Sequence, residues 1–154
     1  MFEKSRDGYH MALEDSLIFL RHLIDDTTST DYTDERLIEL LYVSSVYVNL
    51  ELGSGYSINI CSQTITPEVD STFNTMVALK AACLLTRSTQ STYAKCDFSV
   101  TDGPSTVNLK GTADKLKVAA DDFCDQYALA KLSYLMGNSD YGGGYAITTP
   151  SSAS

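Results

Sequence analysis

The stretch TADKLKVAADDFCDQYALAKLSYLM, residues 112–136, decides the fold class. Its apolar positions Leu116, Ala120, Phe123, Tyr127, Ala130 and Tyr134 step by 4, 3, 4, 3 and 4. That spacing lines one face of an α-helix, whereas a strand would need alternation. Leu129, Leu132 and Met136 add a second edge. Thr112 is placed to cap the helix, and Gly137-Asn138 breaks it. At 1.5 Å per residue the helix is about 37 Å long.

Immediately upstream, FSVTDGPSTVNL (98–109) changes period. Phe98 and Val100 alternate, then Val107 and Leu109, with Asp102-Gly103 between them. This predicts a β-hairpin within 96–109, because glycine accepts the positive φ that tight hairpin turns require. Pro104 has no amide hydrogen to give a ladder, so a loop of about three to five residues is expected. A lone ribbon is marginal in water and needs a helix face to lean on. Phe98, Val100, Val107 and Leu109 are therefore candidate contact residues, toward the protein's own bundle or toward a neighbour.

Working further outward, three more helices are expected. Leu13, Leu17, Leu20 and Ile24 form one stripe over 11–25. Thr33 is a plausible cap for a helix over 34–52, with Asp34 and Glu35 in its first turn and Gly53 at its end. Its apolar positions (Leu37, Leu40, Leu41, Val48 and Leu52, widened by Ile38, Tyr42 and Val46) are too many for one neighbour. Ser44 and Ser45 would let another helix come close. Residues 56–66 read as extended, up to Pro67. Asp70 or Ser71 caps a helix over 70–87, whose ALKAAC run (78–83) suits the centre of a bundle. The expected fold is mainly α: about four helices, one small β-hairpin and an extended C-terminal arm. Residues 1–136 form the helical domain and 137–154 the Gly/Ser-rich arm.

The arm, NSDYGGGYAITTPSSAS, carries Tyr141, Tyr145 and Ile147 around three glycines. Disordered segments are usually poor in aromatics. The segment thus has two readings: a disordered C-terminus, as termini usually are, or an arm that orders on a partner with these three residues as its anchors.

The chain has 11 basic and 20 acidic residues, a net charge of −9. That argues against gripping nucleic acid by phosphate neutralisation, and does not exclude a protein that surrounds DNA without holding it, since acidic walls repel phosphate. No apolar run approaches the roughly 20 residues a bilayer span needs; LLYVSSVYV (40–48) has nine. The polar start MFEKSRDGYH lacks a signal-peptide core. Cys61, Cys83, Cys96 and Cys124 form no CxxC pair, and are expected to be reduced, as in a protein made in a cytoplasm.

Chemical motifs fail one by one. Asp25, Thr27, Ser29, Asp31 and Thr33 alternate as in an EF-hand loop, but Thr30 stands where the glycine belongs and Arg36 where the glutamate belongs. His10 and His22 lie in no HExxH, no GxSxG occurs, and the glycines at 142–144 lack the strand, helix and lysine of a phosphate loop. No catalytic, cofactor-binding or metal-binding residue is assigned. Asp121, Asp122 and Asp125 cluster on the polar side of the last helix. This is ordinarily a solvated face, but in a ring it becomes a candidate channel lining.

The order of parts resembles the head–tail connector (adaptor, or head-completion) proteins of tailed bacteriophages. LEDSLIFLRHLIDD, an acidic loop, DERLIELLYVSSVYVNLELG, an extended link, FNTMVALKAACLL, the FSVTDGPSTVNL hairpin and the long last helix carry the likeness over about residues 10–136. The resemblance implies a non-enzymatic structural protein of the virion neck. Its copies would form a homo-oligomeric, commonly dodecameric, ring under the portal protein. The ring would dock the tail or a head-closure protein and extend a channel through which DNA passes without specific binding. The other reading is a small cellular adaptor or regulatory bundle that binds one protein partner through its C-terminal arm. An enzyme would need a pocket of converging polar groups, which the sequence does not supply.

Overall fold

The computed structural model describes residues 13–95, 101–102, 105–106 and 109–138. It is mainly helical, as the periodicity predicts. The four helices are α1 (Glu14–Leu23), α2 (Asp34–Leu52), α3 (Ser71–Lys95) and α4 (Leu109–Asn138). Among the described residues there are two antiparallel ribbons, one more than expected: β1 (Ser57–Asn59) with β2 (Thr64–Thr66), and β3 (Thr101–Asp102) with β4 (Ser105–Thr106).

α3 is the central element. Phe73, Met76, Val77, Ala78, Ala81, Ala82 and Leu85 are buried around most of its circumference. Its alanines let neighbouring backbones approach. Ser44 and Ser45 of α2 are fully buried and return their hydroxyls to their own helix, at Leu40 O (2.8 Å) and Tyr42 O (2.7 Å). They thus fill a close helix contact without an unpaired polar atom. Leu13 and Leu20 of the first stripe, Leu37, Leu41, Tyr42 and Val48 of the second, and Tyr127 of the last complete the core. Ser16 ties α1 to α3 by donating to the carbonyl and side chain of Asn74, both at 3.0 Å.

The caps follow the sequence. Thr33 accepts from Arg36 N, Gly53 ends α2 at φ +62°, and Asp70 Oδ1 accepts from Phe73 N at 2.7 Å. The link 56–66 is a hairpin whose Ile58 pairs with Ile65. Its turn has Gln63 at positive φ rather than a glycine. Tyr42 donates to Gln63 O, and Asn49 bonds Tyr56 N and O at 2.9 and 2.8 Å. Side chains of α2 therefore shape a turn that local propensity does not favour.

Three expectations are corrected. First, α3 runs to Lys95, well past residue 87, and α4 starts at Leu109 rather than 112. The added α3 turns are polar, but Thr86, Thr89 and Thr92 satisfy themselves on the carbonyls of Ala82, Leu85 and Ser88. Leu109 lies seven residues before Leu116, so it continues the helical stripe instead of closing a strand. Second, among the described residues the β3–β4 ladder pairs Thr101 with Thr106 and Asp102 with Ser105, which leaves two residues between the strands rather than three to five. Third, Cys83 and Cys124 are joined by a disulfide, with Cα atoms 4.8 Å apart. The antiparallel packing of α3 on α4 brings together two thiols 41 residues apart. Spacing alone could not reveal that register, and the reduced reading of these two cysteines fails. Cys61 is an exposed free thiol.

Candidate functional site

The structure divides the sequence candidates. Asp121, Asp122 and Asp125 are exposed on the outer face of α4, and Asp122 accepts from Gln126 at 2.8 Å. That face is not uniformly polar. Val118, Leu129, Leu132 and Leu135 share it and are exposed. Leu109 opens α4 and belongs to no strand. Phe98, Val100, Val107, Tyr141, Tyr145 and Ile147, and the arm they were read in, lie outside the described residues.

Two outward apolar stripes stand out. On α2, Val43, Val46, Tyr47 and Leu50 repeat at i, i+3, i+4 and i+7, opposite the buried stripe. Leu50 is 79% exposed. On α4, Leu129 (68% exposed) and Leu132 continue the row that begins at Val118. A soluble monomer gains nothing from holding two such helical stripes in water. The sequence reading has Val46 widening the Leu37 face, whereas the structure puts it on the outer side. The α2 stripe was visible as a second helical repeat, offset from the Leu37–Leu41–Val48 row.

Between these helices sits a charged lock. Glu51 on α2 accepts from Lys80 of α3 (2.7 Å), from Tyr127 Oη of α4 (2.9 Å) and from Lys131 of α4 (3.0 Å). Burial alone would raise the Glu51 pKa, but hydrogen bonds from Lys80, Lys131 and Tyr127 and the Lys80 charge outweigh it. They hold the carboxyl at about 2 instead of 4.5. Burial, and then the bond to Glu51, push the Tyr127 hydroxyl above the usual phenol range. Lys80 Nζ lies 4.6 Å from the Tyr127 ring centroid and 5.5 Å from that of Tyr47. One carboxylate thus sets the relative placement of three helices, directly behind the α2 stripe.

The acidic loop is built by Asp26, which is buried and offers its oxygens to Thr30 N (2.9 Å), Asp31 N (3.2 Å) and Tyr32 N (3.1 Å). Arg21 spans Asp26 and Asp34 and also donates to Tyr32 O. Burial opposes ionisation of Asp26. The backbone bonds from Asp31, Thr30 and Tyr32, and then the Arg21 charge, more than offset it and lower the pKa. Asp26 falls between the positions that alternate as EF-hand ligands, and its oxygens are taken up by the loop's own amides.

Two clefts open on the surface. One, about 470 Å³, lies between the start of α3 and the end of α4, against Thr75, Met76, Ala130 and Tyr134. The other, about 350 Å³, lies between the α1–α2 loop and the α3–α4 pair, with Leu85, Leu116 and Phe123 as its floor and Asp25 and Asp31 at its rim. Neither brings a nucleophile to a base. Among the described residues, no three His, Cys, Asp or Glu side chains converge as metal ligands. No described helix is long and apolar enough to cross a membrane.

No family model, curated protein or solved structure matches this chain.

Proposed function

We propose that this chain is a structural assembly subunit, the ring-forming connector that joins a bacteriophage portal to its tail and lengthens the DNA channel. The observation that carries this reading is the pair of outward apolar stripes on different helices, Val43–Val46–Tyr47–Leu50 and Leu129–Leu132. Two unlike sticky faces on one chain favour a head-to-tail contact between copies. Such a contact closes into a ring when the rotation allows. A cellular adaptor with a single partner needs only one such face.

Other features agree. A net charge of −9 lets DNA pass without being held. In this arrangement Asp121, Asp122 and Asp125 would contribute at most a short acidic band to the channel, since apolar neighbours flank them along α4. Particles leave the reducing cell for an oxidising medium, where the Cys83–Cys124 bond persists.

Electron microscopy of the chain mixed with portal rings tests the proposal. A closed layer of added density beneath the portal is expected; bare portals would refute it. The variant Val46→Asp with Leu50→Asp should keep its helical circular dichroism and fail to add that layer. Both side chains already face water, so only the contact between copies is lost.

A further inference from the structure

The cleft between the α1–α2 loop and the α3–α4 pair is a bounded space of about 350 Å³, more enclosed than the one at Met76 and Tyr134. Its size is within the range of small-molecule sites. Leu85, Leu116 and Phe123 form its floor, and Asp25 and Asp31 its rim. Its lining shares no residue with the outward stripes of α2 and α4, so what it binds is independent of how copies assemble.

The polar character of this cleft is one-sided. Asp25 and Asp31 are exposed, and neither carboxylate has a hydrogen-bond or ion-pair partner among the described residues. Thr86 and Thr89 on the wall donate to Ala82 O (2.7 Å) and Leu85 O (2.9 Å), which leaves their oxygens to accept. Leu23 and Ile24, which also line the cleft, are the C-terminal end of α1, the negative pole of the helix dipole. No basic side chain stands among the described lining residues. Asp25 adds a carboxylate to that negative pole, and does so in the left-handed conformation at φ +58°, where glycine is favoured. Fold stability thus gives no reason for an aspartate, and a residue that breaks a local rule is a candidate for a functional role.

The structure assigns this cleft to a small amphipathic cation: a free amine whose aromatic or aliphatic body covers Leu85, Leu116 and Phe123 while its ammonium stays at the rim with Asp25 and Asp31. The body gains by leaving water. The charge avoids the cost of burial because the rim is open and acidic. A lysine presented by another protein has the wrong polarity for this site. It enters tip first, which carries its charge to the apolar floor and leaves its methylenes at the rim. A free amine turns its body inward.

The chain has no tryptophan, so the fluorescence of tryptamine, excited where tyrosine does not absorb, reports binding alone. Its anisotropy should rise saturably on titration with the full chain. Indole-3-propionate, the same ring on a carboxylate, should bind about tenfold more weakly or less, and N-acetyl-lysine methylamide should compete as poorly. Asp25→Asn with Asp31→Asn should weaken tryptamine about three- to tenfold, the range for two partly exposed ion pairs, and remove the preference over the propionate. Asparagine is at home at left-handed φ, so helical circular dichroism should not change. Should it fall, Asp25→Gly suits the backbone and should weaken tryptamine in the same direction. Ala119→Phe, which fills the cleft, should abolish binding of both indoles with helicity retained. Tryptamine binding that does not saturate, equal binding of the propionate, competition by the lysine derivative as strong as by tryptamine, or wild-type affinity in the aspartate or Ala119→Phe variants overturns the assignment.

Discussion

Glu51 shows how much one side chain carries here. It is the common acceptor for α3 and α4 donors, and its carboxyl is held at about 2 against an ordinary 4.5. A lowered folded-state pKa contributes stability that is fully present above the unfolded value. That stability is lost as pH falls from 4.5 through about 2. Acid titration of the unfolding free energy should therefore show a fall over this window, of order 3 kcal/mol for a shift of this size. Glu51→Gln should flatten that fall. At neutral pH it should cost about 2–4 kcal/mol, because Lys80 is left largely buried with its partner neutralised. A variant whose acid limb matches wild type would show that Glu51 is not the group being titrated. Asp26 acts over a shorter range. Asp26→Ala should speed amide hydrogen exchange at Thr30, Asp31 and Tyr32, whose N–H groups it accepts, while leaving α3 protected.

At the scale of elements, what was legible in the sequence depended on whether the signal was local. The bounds of α2 follow from Thr33 and Gly53, because a cap and a left-handed stop act on adjacent backbone. The centrality of α3 follows from its alanines. The β1–β2 hairpin was not legible as a hairpin, since its turn is shaped by Tyr42 and Asn49 from α2 rather than by a turn-favouring residue at Gln63. The far turns of α3 carry threonines that read as loop until their i−4 hydrogen bonds are seen. The disulfide depends on helix register across 41 residues, which no spacing rule contains. Closing a loop of that length is worth about 4 kcal/mol in the chain-entropy model. Reduction, or Cys83→Ser, should thus lower the melting temperature by on the order of 10 °C. An unchanged melting curve on reduction would mean that the α3–α4 pairing needs no covalent tie. Ala81→Leu should cost about 1–3 kcal/mol by overpacking the fully buried face of α3, read as a shift in denaturant midpoint.

For the whole molecule, the notable feature is what the bundle leaves uncovered. The α2 and α4 stripes are apolar surface that the described helices leave exposed. Which residues these are was only partly legible. Period alone marks a helix as two-faced but does not say which face the neighbours take, and Val46, read as widening the Leu37 face, lies on the outer one. The candidate channel acids are likewise exposed, yet share their face with leucines that water does not favour. The α2 stripe lies on the helix that Glu51 ties to α3 and α4. The measurement that tests the central claim most directly is electron microscopy of portal rings incubated with wild-type chain and, in parallel, with Val46→Asp, Leu50→Asp. The account predicts a closed ring of added density beneath the portal with wild type and none with the variant. Bare portals with wild type, or an unaltered ring with the variant, would contradict it.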